Sequence, residues 1–143
     1  MFLPKRFPVV DTRLVLAQWK HHDEEDQGII GNPVVAIRYN KGILRVTLQT
    51  TTQKINLFKT REEIRGKWID FKFEIKFTRK KNGFLRVWIN NNKVVDYKGR
   101  VAYTKKEGYP LPGRFHFRFG IYRDLMKRPM TVYYDEYRKE KIE

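Results

Sequence analysis

Two short stretches carry the side chains best suited to chemistry. In 115–122, strand alternation sends His116, Arg118 and Tyr122 to one face and Phe115, Phe117, Phe119 and Ile121 to the other. An imidazole, a guanidinium and a phenol on one face could bind an anion and move a proton. Gly120 lies between Arg118 and Tyr122, and a glycine inside a strand often marks close approach by a ligand or another backbone. In 18–22, the same alternation groups Gln18, Lys20 and His22 opposite Trp19 and His21. His21 and His22 diverge on a strand, so a shared metal ion is not expected from them. Plainer readings stand beside these. A polar strand face is usually the wet side of a sheet, and 18–22 could simply run out into the solvated acidic loop Asp23–Asp26.

Two further groups bear on binding. The stretch 54–81 is basic, with Arg61, Arg65, Lys67, Lys72, Lys76, Arg79, Lys80 and Lys81, and reads mainly as a solvated charged face. Trp88 and Tyr97 could stack on sugar rings or bases, or cap the edge of a core.

Strands must position all of these. Ile69, Phe71, Phe73, Ile75 and Phe77 alternate with Asp70, Lys72, Glu74 and Lys76, giving one apolar and one charged face. Leu44/Val46/Leu48 and Leu85/Val87/Ile89 repeat the pattern, and 12–20, 34–39 and 130–138 also read as strands. Asn40-Lys41-Gly42 and Asn90-Asn91-Asn92 supply hairpin turns, because these residues tolerate positive φ. Only Thr60–Arg65 resembles a helical turn, with Thr60 as the cap and Glu63 three residues on. Many short strands predict an all-β, antiparallel β-sandwich in one domain over 1–143.

Composition narrows the function. The 143 residues hold 31 Lys and Arg against 16 Asp and Glu, a net charge of +15, with no cysteine. Disulfide and Cys-zinc scaffolds are excluded, and one core is expected at this length. No apolar run approaches a membrane span and the first residues lack a signal-peptide layout. The charge predicts a polyanionic partner: an acidic polysaccharide, a nucleic acid or an anionic membrane surface. A phosphate loop, a His-Glu-x-x-His zinc motif and a nucleophile elbow are all missing.

Several segments in order resemble the jelly-roll polysaccharide lyases, the group that includes heparin lyase I, glucuronan lyase and the β-sandwich alginate lyases. They are Leu3-Pro4 with Phe7-Pro8, Gln18-Trp19-Lys20 where the family has Gln-x-His, Pro33–Tyr39, Gly66–Phe71, Gly83–Asn90 with Val94-Val95, Phe117–Arg123 and Tyr133-Tyr134-Asp135. The resemblance implies a concanavalin-like sandwich whose usual upstream strands, bearing an Arg-x-Glu motif, precede the start of this chain. It implies β-elimination on a uronic acid polymer of the alginate, glucuronan or heparin type, and a secreted or periplasmic location. The partner is then neither nucleic acid nor membrane, and exposed strand edges invite self-association. A non-catalytic carbohydrate-binding sandwich is the alternative.

The same resemblance implies roles. Tyr122 takes the place of the family's catalytic tyrosine, with Gln18 and Lys20 as its catalytic partners and Arg118, Arg38, His22 and His116 binding substrate. Phenols titrate near ~10, and a nearby cation favours the ionised form; Lys20 and Arg118 are the candidate cations. Tyr122 would take the proton and return it to the leaving oxygen, or serve as the acid with Lys20 or His22 as base. No cofactor is required by the resemblance. A structural Ca²⁺, as in some relatives, would have Asp135 as one conceivable ligand, yet such an ion wants six or more oxygens.

Overall fold

In the computed structural model, residues 1–22, 32–103 and 114–142 are described, and the acidic run Asp23–Asp26 lies outside them. The described residues form eight strands and no helix. These are β1 (Leu14–His22), β2 (Val35–Asn40), β3 (Ile43–Gln49), β4 (Lys54–Thr60), β5 (Phe71–Lys76), β6 (Gly83–Ile89), β7 (Asn92–Gly99) and β8 (Arg114–Arg123). They build a five-stranded sheet in the order β4-β3-β2-β1-β8 and a three-stranded sheet in the order β5-β6-β7. Every pairing is antiparallel.

Alternating apolar residues make the two sheets face each other. Val35, Val46 and Leu48 of the larger sheet pack in one cluster with Leu85, Val87 and Val95 of the smaller. A second cluster joins Leu14, Leu16, Ile37 and Leu44 to Leu3, Phe7, Ile64 and Ile69, so the N-terminal segment completes the core. The fold is a β-sandwich, as the alternation predicts.

Both tight hairpins have two central residues in the left-handed region: Lys41 (φ 51°) with Gly42 (φ 71°), and Asn90 (φ 47°) with Asn91 (φ 67°). This is the type I′ geometry that matches strand twist. Lys41 accepts it while its N–H donates to the Val10 carbonyl (3.0 Å) and its ammonium pairs with Asp11 (2.7 Å).

Three sequence expectations need correction. Thr60–Arg65 is no helical turn: the Thr60 hydroxyl accepts from the Glu62 N–H (3.1 Å) and the Glu63 carboxylate from the Arg65 N–H (2.9 Å). Such bonds to the backbone two residues on compete with helix formation. The stretch 130–138 is not a strand either, since among the described residues its only ladder contact is the bridge from Tyr133 to Phe2, and Glu136 turns to φ 53°. Conversely, β4 lies hidden in the basic stretch. Its register shifts between Thr47↔Asn56 and Val46↔Phe58, so Leu57 and Phe58 both pack against the core and the period of two is lost.

The outer face of the small sheet pairs part of its own charge. Lys72 pairs with Glu74 (2.9 Å), Glu74 with Arg86 (3.4 Å), Arg86 with Asp96 (3.5 Å) and Asp96 with Lys93 (2.7 Å). Among the described residues no such network covers the outer face of the large sheet.

Candidate active site

The outer face of the five-stranded sheet gathers the candidate side chains in rows, because residues paired across antiparallel strands project to the same side. One row runs Asn56–Thr47–Ala36–Gln18–Arg118. The next runs Lys59–Arg45–Arg38–Val15–Tyr122. Lys20 and His116 form a pair on the other side of the first row. Val15 and Ala36 are buried and make an apolar floor between the polar groups.

Bulges bring the two key rows together. Between Val15 and Ala17, β1 carries one residue more than β2, and β8 carries one more than β1. Leu16 and Ala17 therefore both face the core, while Val15 and Gln18 both face outward. Tyr122 stands opposite Val15, so its row lies three residue rises, about 10 Å, from that of Gln18 and Arg118. Unbroken pairing would put Tyr122 opposite Leu14, four rises away. Gln18 and Tyr122, from separate stretches of chain, thus share one face of the sheet, with their rows about 10 Å apart along β1.

Gly120 has a different role from the one its position suggests. A Cβ there would meet nothing within 4 Å, but its φ is 129°, a conformation side-chain-bearing residues rarely adopt. The glycine serves the bulge. Tyr134 holds that bulge from the core side: its hydroxyl donates to the Leu16 carbonyl (2.5 Å) and approaches that of Gly120 (3.5 Å). Burial pushes its phenol up to about 12, so it stays a donor.

The cation beside Tyr122 is neither Lys20 nor Arg118. Arg13 places its guanidinium 5.3 Å from the centre of the Tyr122 ring and is itself held by Asp124 (2.6 Å). Arg118 stands across from Gln18 and Lys20 one row beyond, both farther along the strands from the phenol. Tyr122 is half exposed.

The remaining candidates divide. Arg38 is half-buried in the Tyr122 row, its Nε donating to the Thr47 hydroxyl (3.2 Å). Burial, foremost, holds its guanidinium below the usual value. His116 is half-buried opposite Lys20, and His22 belongs to β1, though its side chain lies outside the described atoms. Trp88 is on the small sheet under the Lys72 ammonium (4.7 Å), and the Tyr97 hydroxyl donates to the Arg100 carbonyl (3.2 Å). Both are away from this face. Among the described residues no group of three His, Asp or Glu side chains could hold a metal ion.

Arg13 and Tyr134 escape sequence reading because each acts across a nonlocal contact. Arg13 precedes a strand and Tyr134 belongs to an irregular segment 118 residues from Leu16. Local patterns place Arg13 and Tyr134 in strand-like stretches but mark neither contact.

No curated protein and no solved structure matches the chain. A family model described as polysaccharide lyase matches residues 1–138, nearly the whole sequence, and the chain belongs to that family.

Proposed function

We propose that this lyase cleaves a uronic-acid-containing polysaccharide by β-elimination in the groove across the outer face of the five-stranded sheet. The observation that supports this reading is the convergence of Gln18, Arg118 and Tyr122 on one face, the row of Tyr122 lying three residues along β1 from that of Gln18 and Arg118. In the reaction a base removes the proton beside the sugar carboxylate. The electron pair left behind forms a carbon–carbon double bond as the bond to the 4-oxygen breaks, and the departing oxygen takes up a proton.

That carbon acid is very weak until charge on its carboxylate is bound. Gln18 offers an amide N–H and Arg118 a guanidinium fork at the same level of the sheet, both suited to the enolate-like charge as it develops. Tyr122, in its own row on the same face, is placed to shuttle the proton from carbon to leaving oxygen. Lys20 and His116, one row away, face the neighbouring sugar.

The deciding experiment is a screen of alginate, glucuronan, heparin and hyaluronan for growth of absorbance from unsaturated product. Product from at least one uronate polymer is expected. Retardation in affinity gels with no product from any would replace the enzyme by a binding module.

Tyr134→Phe separates positioning from stability. Losing one hydrogen bond to the backbone should cost about 1 kcal/mol in thermal or denaturant unfolding, a small fraction of domain stability. If the bulge aligns Tyr122, kcat should fall at least about tenfold while KM changes little. A fall in stability with kcat intact would limit Tyr134 to a structural role.

A further inference from the structure

Beside the Gln18 and Tyr122 rows, the outer face holds a hollow of about 610 Å³. Its rim carries Arg38, Arg45 and Lys54 from three adjacent strands, and its lining includes the amides of Gln49 and Asn56. Arg38 and Arg45 are direct cross-strand partners, and Lys54 is the partner of Gln49. Like charges directly opposite each other destabilise a sheet, so this arrangement calls for a reason.

Neutralisation from within the described chain does not supply it. Among the described residues no carboxylate forms an ion pair with Arg38, Arg45 or Lys54, and none lines the hollow. Asp11 accepts from the Asn40 amide at the margin (3.0 Å), but its carboxylate is taken by Lys41 (2.7 Å). Arg38 instead donates to Thr47, and Arg45 to the carbonyls of Asn40 (3.5 Å) and Ile43 (3.4 Å), contacts that fix the guanidinium groups without cancelling their charge. Burial, with Arg38 and Arg45 adding to it, lowers the affinity of Lys54 for its proton. On the small sheet, by contrast, Lys72, Arg86 and Lys93 are threaded through Glu74 and Asp96.

The hollow adjoins the proposed site through one residue. Arg13 lines it and also covers the Tyr122 ring. Arg38 is two strands from Tyr122 and Arg45 three, or about 10 and 14 Å across the sheet, roughly the span of two to three sugar rings. We infer that the Arg38–Arg45–Lys54 hollow is a distal anion subsite, which seats a carboxylate or sulfate ester on a sugar two to three units from the bond broken at Tyr122. In taking the ligand to be the same polymer, this rests on the proposed lyase reading.

The test is equilibrium binding of size-defined hexasaccharides of glucuronan, alginate and heparin to full-length protein carrying Tyr122→Phe, so that nothing is turned over. Adding R45Q and K54Q together should weaken hexasaccharide binding at least about tenfold, because two charge-assisted contacts go. The log–log dependence of affinity on salt should become shallower by about two ions. The charge-keeping pair R45K and K54R should retain most of the affinity, which tells a charge role from a folding one. Loss on heparin alone would identify a sulfate ester, and loss on all three a carboxylate; either supports the subsite. Unchanged affinity and salt slope in the neutral pair would overturn it, as would equal loss in both pairs. The two readings fail separately. Charge-dependent hexasaccharide binding with no product from the unmutated protein sinks the lyase reading and leaves the subsite, whereas product with an indifferent hollow does the reverse.

Discussion

Tyr122→Phe is expected to lower kcat on the best uronate polymer by about 10²–10⁴-fold, the usual contribution of a positioned proton-transfer group. Substrate affinity should stay within about threefold. The reasoning is geometric. Tyr122 is half exposed on the sheet face it shares with Gln18, and its ring is covered by Arg13 on one side. Phe keeps that ring and removes only the oxygen to which the proposed mechanism assigns the proton. Single-turnover measurement of unsaturated product, beside equilibrium binding of the same polymer, checks both halves. Full activity in Tyr122→Phe would remove the phenol from the chemistry and leave the proton transfer to the Lys20 and His116 row.

Gln18→Ala should be nearly as damaging, with kcat/KM reduced about 10²–10³-fold, the range seen when one preorganised donor to a developing anion is removed. Gln18 follows Ala17, which is packed in the core, and is flanked by buried Ala36, so its amide is aimed by a rigid strand. Water entering the vacated space would replace the donor poorly, because water must reorient as charge develops. The contrast with Gln18→Glu is informative. A carboxylate of nearly the same shape would face the substrate carboxylate and should raise KM as well as lower kcat. If Gln18→Ala changes KM alone, the amide holds the ground state and the enolate charge falls to Arg118.

The two substitutions probe two rows of the same sheet face, so their effects should be less than additive if both groups act in one step. The double variant should then lose little beyond Tyr122→Phe. Strict additivity would place them in separate events, binding at Gln18 and chemistry at Tyr122.

Much of this protein was legible in its residues alone. The alternation in β1 and β8 assigned Gln18 and Lys20 to one face, and His116, Arg118 and Tyr122 to another, before any pairing was known. It could do so because side-chain direction along a strand is a local property with a period of two. Both hairpin turns were marked by Asn and Gly for the same local reason: positive φ is a property of single residues. The β-sandwich followed from strand patterns and punctuation, and the family from motifs spread along the chain.

Which strands adjoin, and in what register, was decided only by the folded chain. Register depends on contacts between residues far apart in sequence, and one extra residue in a ladder moves every partner beyond it. The staggered bulges at Leu16 and Gly120 draw Tyr122 toward Gln18, Tyr134 reaches in from the C-terminal segment to hold them, and Arg13 covers the phenol. The same pairing sets Arg38 against Arg45 with Lys54 close by, turning dispersed positive residues into a hollow. Charge excess is a sum over the sequence; a binding site is a matter of where the fold leaves that charge unopposed.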